Sequence, residues 1–151
     1  MYINIKIEDK KMSKEINRFI DAQNNSFNEA FKELSNGNKK SHWIWYIFPQ
    51  LKGLGYSYNS NYYGLDGINE AKNYWGNEIL RSRYLLLCDV LLRHNDNIEN
   101  IMGDVDSLKL HSSLTLFYKL TNNRTISRVI DKFYNGLLDN NTLKLIGEGS
   151  N

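Results

Sequence analysis

The first dozen residues alternate Ile3, Ile5 and Ile7 with Asn4, Lys6 and Glu8, the two-residue period of a half-buried strand. No comparably clear strand pattern follows to pair with it. Residues 1–12 are therefore expected to form a short strand or an arm outside the main domain. From Ser13 the spacing turns helical, with Ile16, Phe19 and Ile20 three and four residues apart. Asn24-Asn25 breaks that run, and Ser26 followed by Glu29 has the form of a capping box. Phe27, Ala30, Phe31 and Leu34 then share a face up to Asn36-Gly37, a good C-cap. The pattern predicts two helices paired as an αα-hairpin.

Ser41–Phe48 is apolar nearly all round, so period does not separate helix from strand. A short buried helix is preferred, with Ser41 as N-cap and Phe48 pushed out of the α region by Pro49. Gln50–Ser60 reads as a glycine-bearing loop, and Tyr62, Tyr63 and Leu65 as a turn of helix before Gly67. Ile68–Trp75 is a short helix with Glu70 in its first turn, where a carboxylate meets the positive helix end. Asn77–Arg93 is the longest clear helix and carries too many apolar residues for one stripe, which makes it central. Ile98–Met102 is a turn of helix closed by Gly103, after which Asp104 or Asp106 caps a long helix to about Leu120. Helices at Thr125–Tyr134 and Asn140–Ile146 complete the set. The prediction is an all-α single domain of about eight helices over residues 13–147, with a frayed tail at 148–151.

Composition narrows the function classes. A net charge of +2 on 151 residues is too slight for tight nucleic-acid binding through a broad basic face, so such a partner is not expected. No run of about 18 apolar residues exists to span a membrane. Cys88, the single cysteine, cannot form an internal disulfide and suits a reducing, cytoplasmic setting. It lies in the longest apolar helix, which makes it a core thiol. No HExxH, paired CxxC or EF-hand loop suggests a metal, and no cofactor is expected. Gly53-Leu54-Gly55, with no preceding strand and no third glycine, is not a dinucleotide fingerprint.

Arg18-Phe19, Ala22-Gln23, Ser41-His42-Trp43-Ile44-Trp45, Phe48-Pro49-Gln50 and Gly53-Leu54-Gly55 form a series of motifs that resembles the DUF1810 family. Tyr63-Gly64-Leu65, Glu70-Ala71, Lys109-Leu110, Ser112-Ser113, Thr115-Leu116-Phe117 and Phe133-Tyr134 continue it in the family's order. Leu114 stands where the family tends to have Met, and residues 1–12 fall outside the match. The resemblance implies a mainly helical intracellular domain of unknown function.

Two constellations carry candidate chemistry. In the first, His42 suits acid–base work because imidazole titrates near neutrality, and the same residue could simply satisfy a backbone group. Trp43 and Trp45 could stack a planar ring, Gln50 offers a donor and an acceptor together, and Ser41 flanks the set. In the second, Asp106, Lys109 and Ser113 share a helical face at three- and four-residue spacing, with Ser112 beside them. Glu70 and Arg83 are further candidates, Arg83 as an anion clamp.

These residues suggest two functions. One is a pocket for a nucleotide-like small molecule; if catalytic, it would act at a glycosidic or phosphoester bond, with His42 as acid or base and Asp106 or Glu70 stabilising positive charge. The other is a non-catalytic module that binds a protein or peptide in a tryptophan-rich groove. Whether the protein is an enzyme, and its oligomeric state, stay open at this point.

Overall fold

A computed structural model describes residues 2–147, with side chains from residue 15 onward. Nine helices occur among the described residues, and no strand beyond one isolated bridge. They are α1 (Tyr2–Ser35), α2 (Ile44–Ile47), α3 (Tyr58–Tyr63), α4 (Gly67–Gly76), α5 (Glu78–Leu92), α6 (Ile98–Met102), α7 (Asp104–Thr121), α8 (Arg124–Tyr134) and α9 (Asn140–Leu145). The all-α expectation holds. The expected tail at 148–151 lies outside the described residues.

The start of the chain differs from its pattern. Residues 2–12 are helical, continuous with the rest of α1, and do not form the expected strand. The expected break at Asn24-Asn25 is also absent. Asparagine costs a helix interior only about 0.7 kcal/mol relative to alanine, and tertiary partners offset it here. The Asn24 side-chain oxygen accepts from Arg83 at 2.8 Å, and the neighbouring Gln23 amide donates to Tyr46 O at 2.7 Å and Tyr74 Oη at 3.0 Å. Ser26 and Glu29 are not a capping box. Ser26 Oγ accepts from Tyr46 Oη at 2.8 Å, and Glu29 accepts from Ser41.

Later boundaries follow the sequence closely. Asn122 and Asn135 end α7 and α8 in the left-handed region, at φ 53° and 55°, which asparagine tolerates. Asn123 then caps α8, accepting from Ile126 N at 3.1 Å. Phe48 leaves the α region at φ −123°, ψ 75°, as Pro49 requires. Neither Asp104 nor Asp106 caps α7. That position belongs to Gly103 at φ 85°, and the two carboxylates sit in the first turn.

The core lies where α5 and α7 meet the other helices: α5 packs on α1, α4 and α8, and α7 on α2, α4, α6, α8 and α9. Rings of Trp43, Phe48, Tyr84, Phe117, Trp75, Tyr74 and Phe19 run through it in edge and tilted contacts. Each fully buried large side chain contributes about 1.5–3 kcal/mol. Cys88 is fully buried in this core, and burial raises its thiol pKa. Among the described residues no helix is long and apolar enough to cross a membrane.

The loop after α2 depends on a close approach of backbone. Lys52 N donates to Leu65 O at 3.0 Å, and Leu65 N to Gln50 O at 2.9 Å, which docks the loop beside the end of α3. A Cβ at Gly64 would lie 2.5 Å from both Ser60 O and Lys52 Cγ. Gly64→Ala should therefore cost about 1–3 kcal/mol through overpacking. Gly76→Ala, where a Cβ meets nothing within 4 Å, should stay within about 0.5 kcal/mol of wild type. Urea unfolding of the two variants checks this pair, and equal losses would contradict it.

Candidate functional site

The tryptophan-rich segment is held from below by one carboxylate. Glu33, one turn after Ala30 on the inward side of α1, is buried at 8% exposure. Its Oε1 accepts from Lys40 N and Ser41 N at 2.9 Å each and from Trp43 Nε1 at 3.0 Å. Its Oε2 accepts from Ser41 Oγ at 2.6 Å. Burial alone would raise its pKa. The hydrogen bonds from the Ser41 hydroxyl, the two backbone N–H groups and the Trp43 indole outweigh that and hold the carboxyl at about 2. So weak a base does not take a proton from Ser41 at neutral pH, and Glu33 positions the segment without activating its serine.

Lys39 is the second anchor. Its ammonium meets Asp106 Oδ2 at 2.6 Å, donates to Ser41 O and lies 4.6 Å from the centre of the Trp43 ring. Only 4% of its side chain is exposed, so the amine is desolvated and paired, and removing either partner would leave a poorly solvated charge. Lys39 thus joins the segment to the start of α7.

The sequence candidates separate into groups. Trp43 is 1% exposed and locked to Glu33, so it presents no face to a ligand. Ser41 is half-buried against Glu33 and Glu29 and is not an N-cap of α2. His42 is exposed to solvent. Glu70 is buried, paired with Arg18 at 2.9 and 3.3 Å, and accepts from Asp66 N at 3.0 Å. Arg18 also donates to Tyr62 O at 2.9 Å and Gly64 O at 3.3 Å, so this pair ties α1 to the α3–α4 turn. Arg83 reaches Gln23 and Asn24, away from Glu70.

On α7, Ser113 Oγ is 2.8 Å from Tyr84 Oη in the core, and Ser112 donates to Asp139 at 3.1 Å. Lys109 is half-buried one turn beyond Asp106. With His42 in solvent and Ser113 sealed inside, the eleven candidates do not converge on a common cavity.

Trp45 and Gln50 do share a cleft, with Asn59, Ser60, Tyr63 and Gly64. It encloses about 140 Å³ of empty space, no part of it wide enough for a water molecule. Trp45 Nε1 is buried and has no hydrogen-bond partner, the one such side-chain atom among the described residues. An orphan donor of this kind costs about 1–3 kcal/mol. Gln50 is 7% exposed, and its side-chain amide makes no hydrogen bond among the described residues. Ser57 caps α3 by accepting from Ser60 N at 3.1 Å, and that short helix, which packs on α2, forms the outer wall. The same helix carries Tyr58 and Tyr62, stacked at 5.9 Å and 12° and both exposed.

Glu33, Lys39 and Gln23 organise the region without having been singled out for it. For Glu33 the usable signal is spacing, since it stands three residues after Ala30 and beside Leu34 on the face that turns inward.

An all-helical domain carrying this tryptophan–glutamine cleft is what the fold and site define. The profile of DUF1810, described as proteins of unknown function, matches residues 13–146, and the chain belongs to that family. A crystal structure of a conserved hypothetical protein from Mycobacterium tuberculosis is similar, with a TM-score of 0.85 and 35% identity. The match covers 87% of this chain and 96% of that one. No curated protein matches the chain.

The Glu33 carboxyl gives a pH dependence of defined sign. Its folded pKa, about 2, lies below the ordinary 4.5, so the stability it contributes is fully present above that ordinary value. It drains as pH falls from about 4.5 toward about 2. Glu33→Gln should lower Tm at neutral pH and flatten the acid side of the Tm–pH curve in that window. An acid limb as steep as wild type would contradict this assignment.

Proposed function

We propose that this domain is a recognition module whose cleft at Trp45 and Gln50 binds a planar ligand bearing a carboxamide or nucleobase edge. The observation that carries the proposal is the buried, unpartnered indole N–H of Trp45, a residue that lines one void together with Gln50. Such a ligand supplies an acceptor to the indole and a matched donor–acceptor edge to the glutamine, relieving a desolvation cost that the free protein carries. Because the void admits no water, binding requires α3 to move outward.

Recognition is favoured over turnover by the state of the other groups. Asp106 is neutralised by Lys39, Glu70 is held by Arg18, and His42 faces solvent. A peptide carrying a side-chain amide is the second reading, favoured by the exposed rings of Tyr58 and Tyr62 on α3.

Calorimetric titration with nicotinamide, adenine, uracil and a glutamine-containing peptide tests the assignment. At least one probe should bind, and Gln50→Ala and Trp45→Phe should each weaken it tenfold or more, with His42→Ala leaving it unchanged. Failure of every probe, or affinity that survives both substitutions, would overturn it. Binding of the peptide alone would select the second reading.

A further inference from the structure

The loop that walls the Trp45 cleft has a second side. A Cβ at Gly55 would sit 2.6 Å from Ser60 Oγ and 3.5 Å from Gln50 Nε2, on the inner side. At Gly53, which adopts φ +99°, a Cβ would instead lie 3.9 Å from a Leu145 methyl, on the outer side facing α9. Between this loop and α9 is a separate cleft of about 360 Å³, lined by Gly53, Leu54, Tyr56, Asn141, Lys144 and Leu145. Its volume is within the range of small-molecule sites, roughly 300–1,000 Å³.

The lining sorts into two halves. Leu54, Leu145 and the Tyr56 ring offer apolar surface, with Leu145 50% and Tyr56 93% exposed. Lys144 supplies an ammonium that makes no ion pair among the described residues, and Asn141 an amide one turn before it. The lining includes no acidic side chain, so its one formal charge is the Lys144 ammonium.

We propose that this cleft is a binding site for a small organic anion, a planar apolar body carrying a phosphate or carboxylate. The body lies against Leu54, Leu145 and Tyr56, and the anionic group meets Lys144 with the Asn141 amide as its second polar contact. This site is independent of the Trp45–Gln50 cleft, from which the glycine loop separates it.

The test is NMR titration of the full chain with phenyl phosphate, inorganic phosphate and benzyl alcohol. Phenyl phosphate should bind and move resonances of Gly53, Tyr56 and Leu145, and each of the other two probes, which keeps only half of the chemistry, should bind at least tenfold more weakly. Lys144→Gln and Tyr56→Ala, both changes at exposed positions, should each weaken phenyl phosphate binding tenfold or more, and Gln50→Ala should leave it unchanged. No binding of phenyl phosphate, or binding indifferent to Lys144→Gln, would overturn the proposal. Binding lost in Gln50→Ala but kept in Lys144→Gln would place the probe in the Trp45 cleft, refuting this site and supporting the other.

Discussion

One buried carboxylate sets the geometry of the region on which the rest depends. Glu33 accepts two backbone N–H groups, a hydroxyl and an indole N–H, all from the four residues Lys40–Trp43. A carboxylate has about four lone-pair sites, so this side chain is close to saturated. Its desolvation is offset only because every donor is in place, which makes the arrangement cooperative. Once the loop is tied to α1, Trp43 enters the core and Lys39 reaches Asp106 at the start of α7. The direction of α2 is then fixed.

From that anchor the site divides by function. Trp43, at the N-cap of α2, and Trp45, inside that helix, meet opposite fates. The first has its indole N–H satisfied by Glu33, and the second has its own buried with no partner. The same contrast separates the amides: Gln23 is engaged by Tyr46, Tyr74 and Arg83, whereas Gln50 is idle beside the void. Native proteins rarely bury a polar group unpaired, and the orphan Trp45 N–H, on a residue that shares a cleft with Gln50, is the basis of the proposed ligand site. The Arg18–Glu70 pair joins α1 to α4, and the Lys39–Asp106 pair joins the loop before α2 to α7.

Much of the fold was legible because its punctuation is local. Asn122-Asn123, Asn135-Gly136 and Pro49 act through their own backbone preferences, and the boundaries they mark are where the chain turns. Asn24-Asn25 and Ser26–Glu29 misled for the converse reason: their side chains are engaged by Arg83, Tyr46 and Ser41, partners 12 to 59 residues away that outweigh weak helix preferences. In the site, Trp45 and Gln50 stood out by residue type and neighbourhood. Glu33 did not, since a glutamate near the end of an amphipathic helix looks solvated until the loop that covers it is in place. The α7 face of Asp106, Lys109 and Ser113 was correct in register, but spacing says nothing of what packs against it. Lys39 took the aspartate and Tyr84 the serine.

Glu33 fixes the Trp43 indole, and the proposed ligand gives the neighbouring Trp45 indole the acceptor it lacks. The sharpest check is NMR of the two indole N–H resonances during titration with whichever of the calorimetric probes binds. The Trp45 signal should move as its N–H gains a partner, and the Trp43 signal, bonded to Glu33 throughout, should stay where it is. A Trp45 resonance unmoved at saturating probe, or a Trp43 resonance that moves as far, would contradict this expectation.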